Sequence, residues 1–140
     1  MKLYVKASKN EDSAIATLRR MPQYLAGGII LLSTVLNKER CGNTSNYDEA
    51  EEYVISRTVN NKHSKRSKDA GTVDLVHDIF DYAKKNNISI AKLVQMAGCW
   101  ERYSSFRYYK SGLSDSYSNH HEWLRDAMRE ARKHYNIKNY

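Results

Sequence analysis

The segment from Ile88 to Leu113 (ISIAKLVQMAGCWERYSSFRYYKSGL) constrains the fold most strongly, because it predicts two helices joined by a tight turn. Ser89 is a favourable N-cap for the first helix. The apolar residues that follow it recur at three- and four-residue spacing, as one buried helical face requires; they are Ile90, Leu93, Val94 and Ala97. Gly98 then predicts a left-handed C-cap, a conformation that glycine adopts without strain.

The residues after Gly98 predict a second helix with a polar, basic face. Its candidate nucleic-acid contacts are Arg102, Ser104, Ser105, Arg107 and Lys110. Phe106 and Tyr109 are interleaved with them and would supply the packing side. Arginine and serine side chains can contact base edges, whereas lysine more often contacts phosphate. The segment therefore predicts a helix that packs on one face and meets nucleic acid with the other.

Two stretches resemble the helix-turn-helix of phage-repressor-like (XRE-type) DNA-binding proteins. They are KKNNISIAKLVQMAG, residues 84–98, and RYYKSG, residues 107–112. The resemblance covers roughly residues 73–135. It implies a small helical domain, often dimeric, that binds operator DNA through the second helix. The alternative interpretation is a plain helical hairpin with a basic surface.

Composition and helical periodicity predict a mainly α-helical fold for the whole chain. A single proline and 6 glycines argue against a loop-rich or all-β protein. Residues 2–7 (KLYVKA) alternate in hydrophobicity and allow one short N-terminal β-strand or βα unit. Residues 25–36 fit either a helix or a buried strand. The helix is favoured, because a two-stranded unit would be weak.

Three regions are expected along the chain. Residues 1–60 form an N-terminal α(+β) region, with Asn46 and Glu49 as a capping box for its last helix. Residues 61–71 form a basic linker or loop. Residues 72–140 form the C-terminal helical region, with Thr72 as a helix cap. The outer regions could pack together as one domain.

The distribution of charge favours a polyanionic partner. The chain has a formal charge of +7, and residues 61–140 contribute +6 of it, from 15 Lys and Arg against 9 Asp and Glu. Further candidate phosphate contacts are Lys62, Lys65, Arg66, Lys68 and Lys92. Such residues neutralise phosphates and release counterions. A solvated loop is an equally good interpretation of residues 61–71.

No pattern in the sequence predicts catalysis, a metal site or a cofactor. His120 and His121 are adjacent, so a helix would direct them to different sides, and no ligand pair accompanies them at the spacing zinc needs. We therefore expect no enzyme activity, metal or cofactor. The 2 cysteines predict reduced thiols in a cytoplasmic protein. The apolar run from Leu25 to Leu36 is too short to span a membrane.

The expected function is nucleic-acid binding by a phage or mobile-element protein, as a helix-turn-helix regulator that prefers duplex DNA to RNA and could form a homodimer. A second hypothesis comes from the opening MKLYVKAS and the Asn-, Lys- and Tyr-rich composition. This opening and this composition resemble those of small phage proteins in general character. Some of those proteins inhibit host defence proteins or nucleoproteins, including CRISPR effectors. A third hypothesis is a dimerisation or scaffold module.

Overall fold

Helices make up nearly all the regular structure in the computed structural model, which describes residues 13–59, 70–104 and 114–137. Residues 13–20 form helix α1. The later elements are α2 (Gln23–Leu31), a 3₁₀ helix (Cys41–Asn43), α3 (Tyr47–Val59), α4 (Ala70–Lys85), α5 (Ile90–Ala97), α6 (Cys99–Ser104) and α7 (Ser114–Tyr135). Those residues contain no strand, so the mainly α-helical prediction is confirmed. The strand predicted at residues 2–7 lies outside them.

Helix α2 lies at the centre of the fold. Every residue from Leu25 to Leu31 is buried, and α2 packs against α4, α5 and α7. A helix that is apolar on all sides is stable only when other elements surround it. The ambiguous stretch is therefore a helix as far as Leu31, and the chain then forms turns in which Leu32 and Leu36 remain buried.

Two glycines allow other elements to approach α2 closely. A Cβ atom on Gly27 would lie 1.8 Å from the backbone oxygen of Ala127 in α7. A Cβ atom on Gly28 would lie 2.1 Å from Cδ1 of Leu75 in α4. The helix continues through both positions. The glycines thus allow α4 and α7 to approach α2 closely, because they carry no Cβ atom.

Helices α4 and α7 end in the same way, with an asparagine in the left-handed region followed by a buried isoleucine. Asn87 has φ 54° and Asn136 has φ 55°. The Ile88 amide donates to the Ala83 carbonyl, and the Ile137 amide donates to the Arg132 carbonyl, each at 2.9 Å. This bond, which spans six residues, defines a Schellman motif. The motif closes each helix and turns its isoleucine into the core.

Two predicted helix starts are confirmed. Ser89 Oγ accepts a hydrogen bond from the Lys92 amide at 3.1 Å. Asn46 Oδ1 accepts one from the Glu49 amide at the same distance. The Asn46 amide donates to Thr44 Oγ1 at 3.1 Å, so only the N-cap half of the predicted capping box forms. Each side chain satisfies an amide that has no partner within its own helix.

Two other local predictions are wrong. Thr72 does not cap a helix, because α4 has already begun at Ala70 and Thr72 is buried inside its first turn. Gly98 is not left-handed: its φ is −78° and its ψ is −4°. Because α6 begins at the next residue, Cys99, the chain keeps a nearly helical path there. Gly98 alone separates α5 from α6.

None of the described helices combines the length and the apolar character that crossing a bilayer would require.

Candidate nucleic-acid interface

The described residues include only part of the predicted contact set. Lys92 lies in the first turn of α5, Arg102 lies in α6, and Ser104 is the last residue of α6. The remaining predicted contacts lie outside the described residues; they are Lys62, Lys65, Arg66, Lys68, Ser105, Arg107 and Lys110. The second helix of the helix-turn-helix therefore remains a prediction beyond Ser104.

Arg102 folds back onto the end of α5. Its Nη2 donates to the Gln95 carbonyl at 3.0 Å and lies 3.2 Å from Cys99 Sγ. A positive group stabilises the C-terminal end of a helix, where carbonyl groups point outward. The observed contacts thus give Arg102 a capping role at the junction of α5 and α6.

Lys92 and Arg20 line one groove between α1, the end of α4 and the start of α5. We call it the basic groove; its volume is about 450 Å³. The other polar groups that line it are the hydroxyls of Thr17 and Ser89 and the carboxamides of Asn86 and Asn87. Tyr82 and Ile88 complete the lining. The groove thus combines two cations with uncharged hydrogen-bonding groups.

Local sequence explains how the groove forms. The Schellman motif at Asn87 ends α4, and Ser89 then starts α5, so only a short connection separates the two helices. Lys92 follows in the first turn of α5. Helix α1 contributes Arg20, which is exposed on the helix surface.

The two cations of the basic groove have hydroxyl partners. Arg20 Nη2 donates to Thr17 Oγ1 at 3.5 Å. Lys92 Nζ donates to Ser13 Oγ. Within the described part of the chain, no Asp or Glu side chain lines the groove. Arg20 and Lys92 thus bring two positive charges to one concave surface, an arrangement that favours an anionic ligand.

A second groove has the opposite character. Its volume is about 440 Å³, and Asp74 and Asp78 line it together with His77. His77 Nδ1 lies 2.5 Å from Glu51 Oε2, and the Tyr135 hydroxyl donates to Asp78 Oδ2 at 2.6 Å. Its carboxylates would repel phosphate, so the basic groove is the better candidate for an anionic ligand.

Arg20 was absent from the predicted contact set. It precedes Lys92 by 72 residues, so no local pattern relates the two. The available signal was the pair Arg19–Arg20 at the end of an amphipathic segment. The structure separates their roles. Arg19 lies over the Trp123 ring, 5.1 Å from its centroid, whereas Arg20 faces the groove.

The adjacent histidines contact different aromatic residues of α6. His121 stacks on Trp100 with ring centroids 4.8 Å apart, and His120 meets the edge of Tyr103 at 4.9 Å. Burial, followed by the nearby charge of Arg125, lowers the pKa of His121. These rings join α6 to α7. In the described ranges, no three His, Cys, Asp or Glu side chains are grouped so that they could hold a metal ion.

The chain matches no protein-family model, no curated protein and no solved structure.

Proposed function

We propose that this protein binds nucleic acid through its phosphates and acts as a cytoplasmic DNA-binding regulator of the phage or mobile-element type. The observation that carries the proposal is the basic groove. There Arg20 and Lys92, from helices distant in sequence, line one concavity whose described lining has no carboxylate.

The chemistry of the groove suits phosphate better than it suits a neutral ligand. Arginine and lysine together neutralise phosphate charge and release the counterions condensed on nucleic acid. The carboxamide of Asn87 can add an uncharged hydrogen bond to a phosphate oxygen, whereas the Thr17 hydroxyl donates its hydrogen to the Ser13 carbonyl at 2.9 Å. Contacts of this kind set affinity and orientation but carry no sequence information.

In this proposal the sequence-reading contacts come from the segment after α6. Ser105 and Arg107 would contact base edges, and Lys110 would contact phosphate. The support for this assignment is the resemblance to XRE-type proteins, together with α5 and its Ser89 cap. Duplex DNA is the first ligand to test.

The test is fluorescence polarisation with a labelled duplex across a range of salt concentrations. The variants are Arg20→Gln and Lys92→Gln. The matched control is Arg129→Gln, which removes the same charge from an exposed site on α7 that pairs with Asp126. Each groove variant should weaken binding for all duplex sequences and reduce the slope of log affinity against log salt by about 0.9. The control should leave the slope unchanged.

A second pair of variants, Arg107→Ala and Lys110→Ala, tests the regulator part of the proposal. We expect Arg107→Ala to reduce the preference for a selected site over random duplex, which loss of a phosphate contact alone would not do. Binding that ignores salt, with groove variants equal to the wild type, would rule out the proposal. A protein partner recovered from a bacterial lysate after nuclease treatment, without duplex binding, would favour the host-protein inhibitor instead.

A further inference from the structure

We infer that the basic groove holds one unpaired nucleotide, with its base against Tyr82 and its phosphate between Arg20 and Lys92. This inference rests on the proposed function and specifies the form of nucleic acid that the same site accepts. The ligand would be a single-stranded extension or a frayed end next to a duplex.

The size of the groove supports a single nucleotide. Its volume of about 450 Å³ lies in the range of small-ligand pockets, roughly 300–1,000 Å³. A double helix is much larger, since its major groove alone is about 12 Å wide. A duplex can therefore touch the rim of the groove, whereas one unstacked nucleotide can enter it.

The apolar part of the lining supports a base as well as a phosphate. Tyr82 is half-buried on α4, and Ile88 is buried by the Schellman motif that ends this helix. Ile88 has no polar side-chain group for a phosphate, and Tyr82 adds an aromatic ring to the lining. An aromatic ring beside two cations is the usual composition of sites where a base stacks and its phosphate is neutralised.

The two asparagines make unequal contributions. Asn86 Nδ2 donates to the Tyr82 carbonyl at 2.9 Å, which holds that side chain against its own helix. Asn87 is exposed, and the left-handed conformation of its backbone defines the helix end. Its carboxamide offers both donors and an acceptor, as the edge of a base requires.

The experiment compares three labelled probes by polarisation at one salt concentration. They are a blunt duplex, the same duplex with a short thymidine extension, and the same duplex with an abasic extension of equal length. The two extensions carry the same phosphates and differ only in their bases. We expect the thymidine extension to raise affinity about tenfold over the abasic one, as stacking of a base on an aromatic side chain does.

Variants then test whether the preference for the thymidine extension arises in the basic groove. Tyr82→Leu should abolish the preference for the thymidine extension over the abasic extension, because it removes the ring on which the base stacks. Tyr82→Phe should retain the preference, because it keeps the ring. The control is Tyr53→Leu on α3, a tyrosine that lies beside Arg40 and Arg57, away from the groove; it should retain the preference too.

The outcomes separate the two proposals. If the duplex binds with salt dependence but wild-type protein binds both extensions equally, the inference is wrong and the proposed function survives. If no probe binds, both are wrong. The wild-type comparison needs no variant, so a Tyr82→Leu protein that fails to fold would not leave the question open.

Discussion

An asparagine with positive φ closes each of the two longest described helices, α4 and α7, at Asn87 and Asn136. A residue with a Cβ atom incurs steric strain in the left-handed region, and asparagine tolerates it better than most. The following isoleucine is buried in both cases, 9% exposed at Ile88 and 2% at Ile137. One residue therefore determines both where the helix ends and which side chain returns to the core.

Replacement of Asn136 tests this account at a position away from the basic groove. Asn136→Ala should lower the free energy of unfolding by about 1 kcal/mol, because alanine is strained at positive φ. Asn136→Gly should match or exceed the wild type, because glycine carries no such strain. Urea denaturation of the three proteins measures the difference. Equal losses for alanine and glycine would instead show that the asparagine side chain matters.

Local predictions succeeded where one side chain decides the structure. Ser89 and Asn46 were identified as caps because an N-cap is a contact within four residues of sequence. Gly98 was misinterpreted because glycine permits a left-handed turn without requiring one. Thr72 was misinterpreted because α4 extends further toward the N-terminus than its apolar pattern showed.

At the scale of elements, the crossing of α2 and α7 is one of the two closest contacts that the described glycines reveal. Gly27 faces the backbone of Ala127, so neither helix can move aside by changing a rotamer. Gly71, at the start of α4, faces α7 in a similar way, because a Cβ atom there would lie 1.8 Å from the backbone oxygen of Tyr135. Helices α2 and α4 therefore each pack against α7 at a glycine, where a larger residue would clash with the α7 backbone.

Gly27→Ala should therefore destabilise the protein by about 3 kcal/mol, the upper end of the usual cost of overpacking. The increased helix propensity of alanine, about 1 kcal/mol, offsets only part of the clash. The control is Gly42→Ala, whose Cβ would lie at 3.4 Å from Lys38 Cγ on a flexible side chain. Thermal and urea unfolding measure both. Equal stability of the two variants would contradict the close crossing.

Tyr135 joins α7 to α4 through its hydrogen bond to Asp78. Burial, followed by this bond, raises the pKa of Tyr135 well above its ordinary value. A raised pKa means that the folded state retains the proton after the unfolded state has lost it. The contribution to stability is therefore complete below about pH 10, the ordinary pKa of tyrosine, and declines as pH rises above it.

Tyr135→Phe should lower the free energy of unfolding by about 1 kcal/mol at neutral pH through loss of the hydrogen bond. The difference between wild type and variant should shrink above about pH 10, because only the wild type loses the Tyr135 contribution there. Urea denaturation at a series of pH values measures it. A difference that stays constant at alkaline pH would mean that Tyr135 titrates alike in both states.

At the scale of the whole molecule, one hydrophobic cluster includes residues from helices on both sides of residues 61–71. Leu25 and Ile29 of α2 belong to it together with Leu75 of α4 and Leu124 of α7. The helix pattern predicted these elements, because apolar periodicity is a property of the sequence alone. The basic groove was not predicted, since Arg20 and Lys92 line one concavity only after α1 has packed beside α5.

We expect unfolding to be a single transition, because the shared core links the regions on either side of residues 61–71. The test compares urea curves from far-ultraviolet circular dichroism, which reports all helices, with curves from Trp100 and Trp123 fluorescence. The midpoints should coincide. Separate midpoints would show that the two regions unfold independently.

Because other elements enclose α2, hydrogen exchange of its amides should measure the global stability of the fold. Its amide protons, from Leu25 to Leu31, are buried beneath other elements on every side. Solvent deuterium should reach them only when the entire structure opens, so their exchange should be the slowest in the protein. A single isotope-exchange measurement on this helix would then report how rarely the native state opens completely.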